Sequence, residues 1–136
     1  MEKKDLVKLL DDIFKPLGYT RKGNNWVINS EELVRVVNLQ RSNFGQFFYL
    51  NYGFIVRKLP LTTKTHVEHR LASADKEEQQ KIRDLFDLET KIPSDLRLNE
   101  LRSLIISKVV ERLQSISTED DLYSDLKKGH IYMTFP

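Results

Sequence analysis

Four polar side chains interrupt a stretch of the chain that is otherwise rich in apolar and aromatic residues. The stretch is VVNLQRSNFGQFFYLNYGF, residues 36–54, and the side chains are Asn38, Gln40, Tyr49 and Asn51. Amides donate and accept hydrogen bonds, and tyrosine offers rigid contact area with a polar end, so these residue types suit recognition of a ligand or a partner. They also occur on the solvated face of a sheet or as a polar cluster in a crevice, and the sequence leaves these interpretations open.

The alternation of side chains along a strand decides which residues share a face with these four. We predict two strands in residues 36–54, joined by a turn at residues 42–45 in which Gly45 adopts a positive φ. With a turn of two or four residues the four polar side chains share the less buried face, whereas a turn of three would reverse the later strand. The opposite face then consists of Trp26, Ile28, Val37, Leu39, Phe48, Leu50, Tyr52, Phe54 and Val56. Burying a large apolar side chain contributes roughly 1.5–3 kcal/mol, so we assign this face to the core.

Two histidines follow in the segment HVEH, where His66 and His69 flank Glu68. The spacing does not match the HExxH pattern of zinc helices, and on a strand His69 points away from the other two side chains, so we predict no metal site. The chain has no phosphate-binding glycine loop or nucleophile elbow, so we predict no cofactor. His69 and the adjacent Arg70 are candidates for binding an anionic group, although an ordinary surface or edge-strand pair explains them more simply.

Two classes of function involve the polar residues directly. We favour a non-enzymatic binding or interaction module, of the inhibitor or immunity type, that uses the sheet face to bind another protein. The alternative is an enzyme or a ligand-binding pocket for an anionic substrate, in which Gln40, Asn51, His69 and Arg70 converge.

Single-stranded RNA binding is a third class. Bases would stack on Phe44, Phe47 or Tyr49, beside the basic residues of the sheet half. The run of glycine, aromatic and basic residues that marks RNA-binding sheets is missing, as is their βαβ order. The formal net charge is only +2, so we do not expect nucleic acid as a partner.

The periodicity of apolar residues predicts the elements that position these side chains. We predict an α+β fold, with helices packed on one face of an antiparallel sheet of about four strands. Residues 24–58 form a three-stranded meander, and HVEHRL (66–71) returns as a fourth strand. An amphipathic helix precedes the sheet, with Leu6, Leu10, Ile13 and Leu17 on its inner face and Pro16 and Gly18 at its end.

The second half of the chain is predicted to be helical. The segment SADKEEQQKIRDLF opens with Ser73 as a possible N-cap. After Pro93, Ser94 can cap a longer helix whose inner residues are Leu98, Leu101, Ile105, Val109, Leu113 and Ile116. A last helix, in STEDDLYSDLKK, begins after Thr118 or Ser117.

Composition limits the class of protein. A chain of 136 residues that is 40% hydrophobic can fill one core, so we predict a single domain over residues 1–136. The absence of cysteine fits a reducing compartment. No apolar run approaches the roughly 18 residues of a membrane span, and no signal peptide is recognisable. We therefore expect a cytoplasmic protein with no membrane partner.

Three phrases give the chain a resemblance to a known family. In order after the first helix they are FKPLGYTRKGNNWVI, VVNLQRSNFGQFFYLNYGF and HVEHRL, and together they resemble the bacterial domain-of-unknown-function family 4304. The resemblance covers about residues 9–72, and Asn38, Gln40, Asn51 and Gly53 match the family's phrases. It implies a small α+β domain from a bacterium. The family has no settled activity, so the resemblance assigns none of these residues a role.

Overall fold

The fold is α+β, as predicted, and a computed structural model describes residues 1–59, 66–128 and 132–133. The strands are β1 (Thr20–Lys22), β2 (Asn25–Asn29), β3 (Leu33–Arg41), β4 (Phe48–Val56), β5 (Val67–Arg70) and β6 (Tyr132–Met133). The helices are α1 (Lys3–Phe14), α2 (Lys76–Phe86), α3 (Ser94–Ile105), α4 (Glu111–Ser115) and α5 (Glu119–Lys127). A π-helical turn, Ile106–Val110, joins α3 to α4 without a break in helical backbone geometry.

The strands form a single antiparallel sheet in chain order, from β1 at one edge to β6 at the other. The predicted meander corresponds to β2, β3 and β4, and the predicted fourth strand is β5. The sequence prediction of about four strands omitted β1 and β6. The three residues of β1, TRK, include no apolar side chain, and β6 has two residues, so neither shows the alternation that marks a strand.

The predicted division of the sheet into two faces is confirmed. Arg41 pairs with Phe48, so the β3–β4 connection consists of residues 42–47 and is longer than the predicted turn at 42–45. Its number of residues is still even, so the alternation is preserved. Gly45 within it has φ 129°, as predicted. The predicted core residues are buried, apart from the half-buried Ile28; they are Trp26, Val37, Leu39, Phe48, Leu50, Tyr52, Phe54 and Val56.

The first helix packs on this apolar face. Leu6, Leu10 and Ile13 are buried as predicted, and Asp11 accepts a hydrogen bond of 2.9 Å from the Trp26 indole, which satisfies the only polar atom of that buried ring. Leu17 is 38% exposed, so its predicted place on the inner face is wrong. It belongs to a 3₁₀ turn that follows α1, and the different angular step of that turn rotates its side chain away from the core.

The helical second half follows the predicted order, but two of the predicted caps are wrong. Ser94 does not cap α3: Pro93, with φ −55° and ψ 136°, is the last residue outside the helix, and Ser94 is already the first helical residue. Asp75, not Ser73, caps α2, because its carboxylate accepts a hydrogen bond from the backbone amide of Glu77 in the first turn. The Ser73 hydroxyl instead accepts from the backbone amide of Asp75, which precedes the helix. The α5 helix has Thr118 as N-cap in a capping box with Asp121. None of the described helices is long and apolar enough to cross a membrane.

A buried arginine that the sequence did not point to locks α2 against α3. Arg97 is 1% exposed and donates to the carbonyl oxygens of four residues at the end of α2 and just beyond it: Asp84 at 2.9 Å, Leu85 at 2.6 Å, Asp87 at 3.0 Å and Thr90 at 2.5 Å. The last carbonyls of a helix have no partner inside the helix, and a cation there also complements the helix dipole. Arg97 is therefore a structural residue.

Candidate functional site

A row of polar side chains crosses the sheet on the face opposite the core, which we call the open face. Asn25 pairs with Asn38, Asn38 with Asn51, and Asn51 with Arg70, so one residue comes from each of β2, β3, β4 and β5. Gln40 lies beside this row, two residues beyond Asn38 on β3. We call these five residues the polar ladder.

Hydrogen bonds join all members of the polar ladder. Arg70 donates from Nε to Asn51 Oδ1 at 2.9 Å and from Nη2 to Gln40 Oε1 at 3.0 Å. Asn51 Nδ2 donates to Gln40 Oε1 at 2.9 Å and to Asn38 Oδ1 at 3.2 Å. Asn38 Nδ2 donates to Asn25 Oδ1 at 2.9 Å. The side-chain bonds therefore run in one direction, from Arg70 on β5 to Asn25 on β2.

Arg70 fixes the orientation of every amide in the ladder. A guanidinium group has donors and no acceptor, so Asn51 and Gln40 must turn their oxygens towards it. The nitrogen of Asn51 then faces the oxygen of Asn38, and the nitrogen of Asn38 faces Asn25. Because Asn51 and Asn38 each accept a bond from the preceding residue and donate one to the next, the charge of Arg70 polarises the whole chain of bonds.

Asn51 is the buried centre of the ladder. It is 5% exposed, and both its amide nitrogen and its amide oxygen are hydrogen-bonded to other members. Removing one partner from a buried polar group costs far more than an exposed hydrogen bond contributes. The ladder therefore holds its geometry in the absence of any ligand.

Aromatic rings support Arg70 from below. Its guanidinium carbon lies 3.8 Å from the centroid of the Tyr49 ring, the distance of a close cation–π contact. Tyr49 in turn meets Phe47 edge to face, with ring centroids 4.9 Å apart, and Arg83 of α2 lies 5.8 Å above Phe47. The two aromatic rings thus lie between two arginines at one end of the open face.

Gly53 lets the backbones of β4 and β5 approach closely next to the ladder. A β-carbon at this position would overlap the carbonyl oxygen of Val67 and lie 3.1 Å from the α-carbon of Glu68. Only glycine fits here without a shift of the backbone, because no side-chain rotamer moves a β-carbon. The glycine of the NYG phrase is thus explained by packing between strands.

The four amide residues of the ladder form the floor of an open depression of about 350 Å³, and Arg70 lines a neighbouring cleft beside α2. The other lining residues of the depression are Asn24, Val36, Leu39, Arg41, Tyr52, Gly53 and Glu68. All described residues of the open face are exposed or half-buried, except Asn51 and Gly53. The open face therefore combines a rigid polar floor with half-exposed apolar side chains such as Val36.

The structure separates His69 from the other candidate residues. Asn38, Gln40, Tyr49, Asn51 and Arg70 lie together on the open face, but His69 neighbours Arg70 in β5 and so points to the opposite side. There its ring meets the Tyr52 ring edge to face at 5.3 Å and lines a separate cavity of about 440 Å³. Burial raises the pKa of Tyr52 to about 12, against the opposing effect of Arg112. The enzymatic alternative thus has three of its four residues on one face and its histidine on the other.

The other two polar residues of the HVEH segment are His66 and Glu68, and they lie in different environments. His66 is buried, and its Nδ1 accepts a hydrogen bond of 3.0 Å from the Val56 amide. Glu68 is exposed at the rim of the depression. Among the residues that the structure describes, no group of three or more His, Asp and Glu is placed to hold a metal ion.

Asn25 is the member of the ladder that the sequence analysis missed. Its neighbour Trp26 was placed on the core face, so alternation along β2 already put Asn25 on the open face. Alternation gives only the face: to predict that Asn25 contacts Asn38 also required the register between β2 and β3, which pairs these two residues.

Fold and site together define a small α+β domain with a hydrogen-bonded polar ladder on the open face of its sheet. The family model described as "Domain of unknown function (DUF4304)" matches residues 10–115, and the protein therefore belongs to this family. The match runs from α1 to α4, so it includes the whole ladder and extends well beyond the phrases that carried the resemblance. No curated protein and no solved structure matches the chain.

Proposed function

We propose that this protein is a non-enzymatic interaction module, of the inhibitor or immunity type, that binds another protein through the open face of its sheet in the bacterial cytoplasm. The observation that carries the proposal is the polar ladder, whose members are all joined by hydrogen bonds and whose four amides form the floor of a depression open to solvent. The absence of cysteine from the chain fits the reducing compartment.

Preorganisation of the ladder favours binding. Burial holds Asn51, and the stack on Tyr49 holds Arg70, so both side chains have lost conformational freedom before a partner arrives. Association is weakened by the entropy of ordering interface side chains, and a surface already ordered avoids that cost.

Apolar surface at the same end of the sheet favours a protein as the partner. Phe44, in the β3–β4 connection, is 96% exposed, which is exceptional for a large aromatic side chain. Aromatic residues are enriched among the side chains that dominate the energetics of protein interfaces. Phe44 therefore supplies an exposed apolar anchor in the connection between β3 and β4, the two strands that carry Asn38, Gln40 and Asn51.

The geometry supports binding better than catalysis. The depression is open, whereas an enzyme gains from excluding water around the reacting groups. The histidine that would serve as acid or base is on the other face of the sheet. Tyr49, one of the three aromatic residues expected to stack on RNA bases, already has Arg70 over its ring face and Phe47 at its edge.

Affinity capture with matched variants tests the proposal. The face variant Gln40→Ala/Phe44→Ala removes one exposed amide from the open face and one exposed aromatic from the adjoining β3–β4 connection. The control Leu96→Ala/Gln114→Ala removes one exposed apolar side chain from α3 and one exposed amide from α4. All four side chains are exposed, so both variants should fold. We expect one protein from a lysate of the native bacterium to bind the wild type and the control and to be lost with the face variant. Equal capture by both variants, or capture of no protein by the wild type, would contradict the proposal.

A further inference from the structure

We infer that the polar ladder recognises carboxylate groups, so that the partner presents an acidic segment to the open face. The inference rests on the proposed function and adds the chemistry of the partner. It follows from which polar atoms of the ladder are already used and which still face solvent.

The free polar groups of the ladder are donors. The side-chain oxygens of Asn25, Asn38, Gln40 and Asn51 all accept hydrogen bonds within the ladder. Among the described residues no acceptor contacts Asn25 Nδ2 or Gln40 Nε2, and both residues are accessible to solvent. A ligand that bonds to these nitrogens must bring acceptors.

Arg70 provides the strongest of these donors. A guanidinium group has five N–H bonds, and Arg70 uses one on Nε and one on Nη2, which leaves three directed away from the amides. Within the described ranges no ion pair includes Arg70, in contrast to Arg21, which pairs with Asp11 at 3.1 Å, and Arg112, which pairs with Asp125 at 3.4 Å. The exposed guanidinium group of Arg70 is therefore held in place without an ion pair to any described carboxylate. Its edge formed by Nη1 and Nη2 has the geometry to bind both oxygens of a carboxylate from a ligand.

A second arginine extends the site from one carboxylate to several. Arg70 and Arg83 line the same cleft of about 200 Å³ between the sheet and α2, with Tyr49 and Phe47 between them. Arg83 also has no ion-pair partner in the part of the chain that the structure describes. Two unpaired cations along one cleft fit a segment with more than one acidic side chain.

The surroundings favour a protein carboxylate over a nucleic-acid phosphate. Glu68 lines the depression and repels a continuous phosphate backbone, while a peptide can place a neutral residue beside it. The ring face of Tyr49, which a base would need for stacking, is occupied by Arg70.

Nuclear magnetic resonance of the full-length protein labelled with ¹⁵N tests the inference. The probes are capped hexaglutamate, capped hexaglutamine as a neutral control, and hexathymidylate as the phosphate control. We expect hexaglutamate to cause saturable shifts of the Arg70 Nε–H and Gln40 side-chain amide signals, and hexaglutamine to cause none. No saturable shift at Arg70, or tighter binding of hexathymidylate than of hexaglutamate, would overturn the inference.

Variants separate a specific contact from general attraction. Arg70→Gln and Arg83→Gln should each weaken hexaglutamate binding about tenfold, the usual effect of losing a charge-assisted contact. Arg102→Gln, which removes an exposed arginine on α3, should leave the affinity unchanged. Equal affinities of Arg83→Gln and Arg102→Gln would overturn the inference, and this comparison stands even if Arg70→Gln unfolds, because Arg83 lies outside the ladder. If hexaglutamate fails but a partner is still lost with the Gln40→Ala/Phe44→Ala variant, the carboxylate inference falls while the proposed function stands.

Discussion

The guanidinium group of Arg70 lies over the ring of Tyr49, with 3.8 Å between the guanidinium carbon and the ring centroid. The two residues belong to neighbouring strands, β5 and β4, and the stack turns the Nε edge of Arg70 towards Asn51 and Gln40. A flexible, charged side chain thereby becomes a fixed part of the sheet surface. The orientation of the four amides of the ladder depends on it.

The central amide should be important for stability. Asn51→Ala leaves Arg70 Nε and Asn38 Oδ1 without their buried partner, so we expect the free energy of unfolding to fall by about 2 kcal/mol. Urea denaturation followed by circular dichroism measures this. The matched control Asn99→Ala, at an exposed position of α3, should change stability by less than about 0.5 kcal/mol. A loss for Asn51→Ala as small as the one expected of the control would contradict a stabilising role of the ladder.

Gly53 should tolerate no side chain. In Gly53→Ala the new β-carbon meets the Val67 carbonyl oxygen, and relief requires β4 and β5 to separate, so we expect a loss of at least about 2 kcal/mol. Gly23→Ala is the control: Gly23 has φ 61° but no atom within 4 Å of an added β-carbon, so it should lose only about 1 kcal/mol to backbone strain. A larger loss at Gly23 than at Gly53, by thermal or urea denaturation, would refute this account of the NYG glycine.

Arg97 should be among the most sensitive positions of the helical half. Arg97→Ala leaves the carbonyls of Asp84, Leu85, Asp87 and Thr90 without their donor in a buried place, and we expect a loss of about 3 kcal/mol. Arg102→Ala, on the exposed side of the same helix, should be close to neutral. Hydrogen exchange of the α2 amides provides a local readout, and unchanged protection in Arg97→Ala would contradict the role of Arg97 as a cap.

Two buried tyrosines should make the protein sensitive to alkaline pH. Burial raises the pKa of Tyr19 and of Tyr52 from 10 to about 12. Below pH 10 both phenols are neutral in the folded and the unfolded chain; above it the unfolded chain releases these protons first, so stability falls as the pH rises from 10 towards 12. Urea denaturation across this range, with phenolate absorbance recorded in parallel, should show a shallower decline for Tyr52→Phe. Titration of every phenol of the folded wild type near pH 10 would contradict the prediction.

Much of the sheet was predictable because its alternation is strong. Val37, Leu39, Leu50, Tyr52 and Phe54 all belong to the face that was assigned to the core, and an even connection between β3 and β4 was enough to place the polar residues on the other face. The edges of the sheet were not predictable, because TRK in β1 carries no apolar residue. These three residues form a strand because they pair with β2, and this pairing leaves no signal in the local sequence.

The contacts of the site were less predictable than its face. Asn38, Gln40, Tyr49 and Asn51 were grouped by parity, but the link to Arg70 depends on the register of β4 against β5, which no local signal fixes. His69 and Arg70 are adjacent in β5, so alternation alone puts their side chains on opposite faces of the sheet. The enzymatic alternative, which placed both residues in one pocket, did not take this alternation into account. Arg97 gave no sequence signal, because a buried arginine that caps a distant helix is indistinguishable in sequence from an exposed one.

Photocrosslinking in living cells most directly tests the claim that the open face binds another protein. A benzophenone amino acid replaces Phe44 in one variant and Leu96 in another; both side chains are exposed, at 96% and 50%, but Leu96 is on α3 rather than beside the open face. The account predicts one discrete crosslinked product from position 44, weakened by Arg70→Gln, and none of the same mass from position 96. No protein product from position 44, or the same product from both positions, would contradict it.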